Sequence, residues 1–271
     1  MLGAIIGDIV GSPYEFANTS NPRFPLLSKR SSFTDDTICT IAVADALVRG
    51  SDFGESLREW CLRYPNPTGA YGGSFNAWLH SENPQPYNSF GNGAAMRVSP
   101  CGWAAKSEAE ALRLAMASAA PTHNHVEGLI GASVVARGIY MLRTTHSSCS
   151  VSILNRDLLV PFYGIDWFER CVPAVGQWDE TCQGCVPLAF HILDKTDRLF
   201  NAGRFCSPFE DAVRRAVLYG GDSDTLAAIV GSLAESRWGI PAEIRDKALE
   251  LLPADMRSVI DQFSKTFGYE C

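Results

Sequence analysis

The sequence contains no apolar run that approaches the roughly 18 residues of a membrane span, so a membrane protein is not expected. It also lacks an excess of positive charge. Twenty-three Lys and Arg face 30 Asp and Glu, a formal charge of −7, which argues against a nucleic-acid partner. Strand-type alternation is missing too, and its nearest approach, over 151–162, is irregular. The first residues, MLGAIIGDIVGS, have no basic n-region, and Asp8 interrupts their apolar stretch. No signal peptide is therefore expected, and a cytoplasmic protein is. Apolar residues are not scarce: 46% of the 271 residues are hydrophobic and 20% charged, enough for a sizeable core.

Cysteine is plentiful but unpatterned. Nine are spread along the chain, an odd number in a protein long enough to fold without staples, so reduced thiols are the simpler reading. Cys182-Gln-Gly-Cys185 is a lone CxxC, and neither Cys171 nor Cys206 stands at a spacing that would complete a zinc site.

Helical periodicity dominates. Phe209, Ala212, Val213, Ala216 and Val217 recur on one face, as do Met256, Val259, Ile260, Phe263 and Phe267. Shorter amphipathic patterns cover 112–119 and 244–252. Four stretches, 38–48, 129–142, 186–193 and 226–234, are apolar nearly all round and predict buried central helices. The expectation is all-α: a single compact multi-helix domain over 1–271. Between Leu62 and Trp103, breakers such as Pro65, Pro67, Gly69, Gly72, Gly73, Pro84, Pro86, Gly91, Gly93 and Pro100 leave room for helix only around 74–81. Aromatics such as Tyr64, Tyr71, Phe75, Trp78, Tyr87 and Phe90 make this segment read as a binding loop.

Two segments carry chemistry. Thr34-Asp35-Asp36-Thr37 precedes the apolar run from Ile38, and Asp222-Ser223-Asp224-Thr225 precedes the run from Leu226. Either alone reads as an N-cap, since oxygens and negative charge both suit a helix start. A cap uses one side chain, however, and each segment presents two acids. Buried helices behind them would bring four carboxylates together, and these repel unless cations or protons neutralise them. All-oxygen donors suit a hard ion such as Mg²⁺ or Mn²⁺, and two such ions balance four carboxylates. Glu15 alone reads as a surface acid. Asp8, in an apolar helical stretch, reads either as an acid that orients a metal ligand or as an ordinary buried, hydrogen-bonded Asp.

Five motifs in order, Gly3-Ala-Ile-Ile-Gly-Asp8-Ile-Val-Gly-Ser12-Pro-Tyr-Glu15, Phe33-Thr-Asp-Asp-Thr37, Gly91-Asn-Gly-Ala-Ala-Met-Arg97, Thr122-His123 and Gly220-Gly-Asp-Ser-Asp-Thr225, resemble the ADP-ribosylglycohydrolase (ADP-ribosyl-acceptor hydrolase) family, which includes the dinitrogenase-reductase-activating glycohydrolase. The resemblance runs from Gly3 to Thr225. It implies an all-α fold with two divalent cations, Mg²⁺ or Mn²⁺, held by Thr34, Asp35, Asp36, Asp222, Asp224 and Thr225. Glu15 matches a glutamate that gates substrate entry in part of the family. Ser89, Phe90, Gly91, Asn92, Gly93, Met96 and Arg97 resemble an ADP-ribose-binding loop, in which glycine amides approach phosphate and Phe90 stacks on adenine or packs beside its ribose. The alternative for Arg97 is a buried ion pair. His123 matches a histidine near the ribose or pyrophosphate, His125 reads as structural, and Tyr71 and Gly72 resemble a segment lining the pocket.

The implied reaction is hydrolysis of the C1″ glycosidic bond of ADP-ribosylated proteins or small molecules, releasing ADP-ribose through a transition state of oxocarbenium character. Glu15 or Asp36 is the expected base. Arginine, serine and ester acceptors all occur among relatives, and the glutamate pattern leans toward O-linked ones. A monomer is slightly favoured. Two rivals stand beside this reading: an ADP-ribose-binding or transferase-blocking immunity-type protein without turnover, and an Mg²⁺-dependent phosphohydrolase.

Overall fold

The computed structural model describes residues 1–145, 150–203 and 207–269. Helices run in chain order as α1 (Leu2–Gly11), α2 (Asp35–Arg49), α3 (Phe53–Arg63), α4 (Gly73–Leu79), α5 (Gly93–Met96), α6 (Ser99–Ala104), α7 (Glu108–Ala119), α8 (Val126–Thr145), α9 (Val151–Tyr163), α10 (Trp167–Cys171), α11 (Cys182–Asn201), α12 (Pro208–Tyr219), α13 (Ser223–Trp238), α14 (Ala242–Glu250) and α15 (Ala254–Phe267). A short 3-10 turn, Ser12–Tyr14, follows α1. Among the described residues there is no β-strand, only two isolated bridges, Thr34 with Thr68 and Gly91 with Thr181. The fold is all-α, and no described helix is long and apolar enough to cross a membrane.

The all-round apolar runs do lie at the centre. Every residue of α1 is buried, as is α13 from Ser223 to Ser236 and α2 from Asp36 to Ala46. Around them, α12, α14 and α15 bury one stripe each, the Phe209, Ala212, Val213, Ala216 and Val217 face being typical. The irregular 151–162 stretch is helix α9. The breaker-rich segment holds α4 close to the expected position and, beyond expectation, two short helices, α5 and α6. Pro100 is compatible with α6 because it stands at the first helical turn, where a missing N–H costs nothing.

The closest packing joins α1 to α13. A Cβ on Gly7 would stand 1.9 Å from the Ala227 carbonyl oxygen, and one on Gly11 would stand 2.4 Å from Asp224 Cα. Only glycine allows these backbones to touch. The glycine spacing of GAIIGDIVG thus fixes where the head of α13 lies, and with it Asp224.

The six described cysteines, Cys39, Cys61, Cys101, Cys171, Cys182 and Cys185, are free thiols. Cys182 and Cys185 donate to the carbonyls of Gly91 and Asp179, so the CxxC serves local packing. Cys149, Cys206 and Cys271 lie outside the described residues.

Candidate functional site

The heads of α2 and α13 meet at one cavity of about 380 Å³, which Asp35, Asp36, Asp222, Asp224 and Thr225 line together with Glu15. Asp8 sets the α2 head. Buried within α1, its carboxylate accepts from the amides of Thr34 (3.0 Å) and Thr37 (3.1 Å), from the Thr34 hydroxyl (2.8 Å) and from the Thr37 hydroxyl. Asp8 is thus a buried, hydrogen-bonded acid whose bonds orient the Thr34–Thr37 segment. Complete burial outweighs these four donors and pushes its pKa up to about 6.

Thr34 caps α2 by accepting from the Asp36 amide at 3.2 Å. Its hydroxyl proton is committed to Asp8, and the residue does not line the cavity. Asp222 stands at the cap position of α13 yet makes no capping hydrogen bond. Its Oδ2 instead accepts from the Asn92 side-chain amide at 2.6 Å. Capping therefore accounts for Thr34 but not for Asp222.

The Thr225 hydroxyl donates to Asp36 Oδ2 at 3.2 Å. Asp36 Oδ1 and Asp224 Oδ1 are buried without a hydrogen-bond partner. Burial, reinforced by neighbouring carboxylates, pushes Asp35, Asp36 and Asp224 well above the ordinary carboxylate range. Burial also raises Asp222, against the opposing effect of its hydrogen bonds to Asp224, Asn92 and Thr225. As they stand, no three His, Cys, Asp or Glu side chains among the described residues close on one point tightly enough to hold an ion. Nevertheless, an all-oxygen donor set with two orphaned, buried carboxylate oxygens fits a hard divalent cation, which would supply the missing partners.

Glu15 follows the 3-10 turn and sits at the cavity edge, its Oε2 against Gly69, where a Cβ would come within 2.8 Å. Partial burial, then the charges of Asp222 and Asp8, lift its pKa to about 7. The turn is pinned by Asn18, which accepts from the Gly221 amide (2.8 Å) and donates to its carbonyl (3.0 Å). Asn18 carried no sequence signal, because an Asn in a polar turn looks ordinary.

Across the cavity, Ser89, Gly91, Asn92, Gly93, Met96, Arg97, Tyr71 and Gly72 all line the wall, as does His123. Phe90 does not. It is half exposed and its ring lies 5.3 Å from that of His125. Two loop amides are also spoken for: Gly91 donates to Ser89 Oγ and Asn92 to the Glu180 carbonyl. Arg97 is almost fully buried, with no carboxylate beside it among the described residues. Its guanidinium donates to the Ser118 carbonyl and to Thr122 Oγ1, while its Nε has no partner. The ion-pair alternative for Arg97 is therefore not what the structure contains. Thr122 Oγ1 lies 2.7 Å from His123 Nδ1, and burial, aided by the Arg97 charge, pushes the His123 pKa well below the usual histidine value. Gly93 leaves room for this ring: a Cβ there would be 3.0 Å from His123 Nε2. His125 accepts from the Glu127 amide at the start of α8, a structural role.

Sequence reasoning missed Phe16, Cys39, Trp178 and Glu180 in the lining. Cys39 was findable, one helical turn after Asp35. Trp178 and Glu180 come from the aperiodic approach to α11, where no pattern marks a site.

The ADP-ribosylglycohydrolase family model matches residues 1–270. Among solved structures, a chain of an "ADP-ribosylglycohydrolase-related protein complex" superposes with a TM-score of 0.67 at 23% identity, over 97% of this chain and 95% of that one, a likeness of fold. Members of the matched family are mostly glycohydrolases and often bind divalent metals. With its whole length covered by that model, the chain belongs to the ADP-ribosylglycohydrolase family.

Proposed function

We propose that this protein hydrolyses the C1″ bond between ADP-ribose and an acceptor, releasing intact ADP-ribose. The observation that carries the proposal is the shared cavity of the two acidic helix heads, with unpartnered carboxylate oxygens on its floor and the 89–97 loop on its wall.

Asp35, Asp36, Asp222, Asp224 and Thr225 are the residues that would hold divalent cations, with Thr34 supporting them through its cap of α2. When bound, such cations neutralise the carboxylates and acidify water. Arg97 supplies the positive charge that a pyrophosphate needs, and Asn92 is shared between the loop and Asp222. Tyr71 and Phe75 form an aromatic wall. Glu15 suits a general base better than Asp36, because it lines the cavity on the turn after α1 and is partly exposed, whereas Asp36 is buried among the acids that would hold the cations. In the step, the oxygen of water bonds to C1″ as the C1″–acceptor bond breaks. Glu15 takes one water proton, the other stays on the new C1″ hydroxyl, and the proton taken by Glu15 is returned through solvent to the departing acceptor atom.

The test is chromatography of products from arginine-linked and serine-linked ADP-ribosyl peptides, with Mg²⁺, Mn²⁺ or EDTA. Release of intact ADP-ribose that stops in EDTA is expected. Phosphate or AMP would point to a phosphohydrolase, and ADP-ribose binding without any release would reduce the protein to a binder.

A further inference from the structure

We infer that Phe16, Trp178 and Glu180 form the acceptor subsite of the cavity and select a flat cationic group, a guanidinium, over a neutral acceptor. This rests on the reading that the cavity cleaves an ADP-ribosyl–acceptor bond.

The Phe16 and Trp178 rings stack with centroids 5.6 Å apart and planes 19° from parallel, and both line the cavity. They remain 73% and 44% exposed, so the stack presents aromatic surface to an incoming group instead of filling the core. The Trp178 indole N–H donates to Glu180 Oε1 at 2.8 Å. That bond fixes a carboxylate beside the ring and leaves Oε2 for a ligand. An aromatic face next to a carboxylate oxygen is the pairing a guanidinium recognises, with its plane against the ring and its N–H groups on the oxygen. A serine hydroxyl gains little from either.

Three contacts hold this rim at the carboxylate end. The Asn18–Gly221 hydrogen bonds tie the turn after Phe16 to the residue before Asp222. Gly221 adopts a φ of +74°, and a Cβ there would lie 2.4 Å from the carbonyl oxygen of Gln177, next to Trp178. The Glu180 carbonyl accepts from the Asn92 amide at 2.7 Å. Apart from Arg97, which is held by Ser118 and Thr122, no Lys or Arg lines the cavity among the described residues. The mouth is thus acidic and aromatic, with no cation to repel a cationic acceptor. The lean toward O-linked acceptors rested on Glu15 alone; the rim points the other way.

The test compares kcat/KM for arginine-linked and serine-linked ADP-ribosyl peptides of matched sequence, and the affinity of agmatine by calorimetry. Wild type should favour the arginine-linked peptide. Trp178→Ala should lower the arginine-to-serine ratio about fivefold and Glu180→Gln about threefold, mainly through KM. Agmatine should bind wild type and lose affinity in both variants. Equal use of the two peptides by wild type, or unchanged ratios in the variants, would overturn the subsite while leaving the glycohydrolase reading intact. A Trp178→Ala protein that loses affinity for free ADP-ribose would also overturn it, placing the adenosine half on the rim instead. If neither peptide is cleaved, the underlying reading fails, and agmatine binding that depends on Trp178 then decides the rim alone.

Discussion

The Thr225 hydroxyl donates to Asp36 Oδ2 across 189 residues of sequence, so the heads of α2 and α13 are in direct contact. That contact gathers like charges in a buried place, and most of the expected behaviour follows from the cost of doing so.

Asp224→Asn removes one of these charges. In EDTA the variant should melt higher than wild type, by about 2–4 °C for each kcal/mol of relieved repulsion. It should also lose turnover, and Mn²⁺, which should raise the melting temperature of wild type, should not raise its own. Differential scanning fluorimetry with and without Mn²⁺ checks both halves. A variant less stable than wild type in EDTA would contradict the charge argument.

Stability of the metal-free protein should fall as pH rises from about 4 to about 7. Asp8 is lifted from 3.8 to about 6 and Glu15 from 4.5 to about 7. Over that window the folded chain holds protons that the unfolded chain has released, so each step up in pH favours unfolding. Urea midpoints measured between pH 4.5 and 7.5 report the slope, and Mn²⁺ should flatten it.

Gly7→Ala should destabilise the fold by about 3 kcal/mol or more, because its methyl would meet the Ala227 carbonyl oxygen at 1.9 Å. Gly72→Ala, with nothing within 4 Å, is the control and should change stability by no more than about 0.5 kcal/mol. Chemical denaturation of the pair separates the clash at the α1–α13 contact from the effect of adding a methyl group in open space.

His123 should stay neutral through the range in which an ordinary histidine titrates, roughly pH 6 to 7. Its ring resonances, assigned by their loss in His123→Gln, should be flat across that range. Thr122→Val removes the hydroxyl between Arg97 and His123 and should weaken ADP-ribose binding about tenfold, read by calorimetry.

Much of this architecture was legible in advance because burial writes itself into periodicity. The all-round apolar runs after Thr37 and Thr225 became parts of α2 and α13, and the stripes at 209–217 and 256–267 became outer helices. The short helices α5 and α6 were hidden by their length and by flanking Gly and Pro, since four to six residues carry no readable period. At the site, paired acids at helix heads announced themselves, whereas Asn18, Trp178 and Glu180 did not. Their positions depend on which turns the fold brings beside Gly221, and local sequence holds no record of that. Phe90 illustrates the converse: it sits in a legible motif, yet its ring lies against His125 and away from the cavity wall.

The glycine contact between α1 and α13 has a consequence for synthesis. The face of α1 that meets Ala227 and Asp224 has no partner until residues some 210 positions later have been made, a delay of about 10–40 s at ribosomal rates of roughly 5–20 residues per second. During that interval α1, whose one charged side chain is Asp8, stands without the partner that buries it. The candidate site therefore comes together only once the head of α13 has been made, long after the acids at the head of α2.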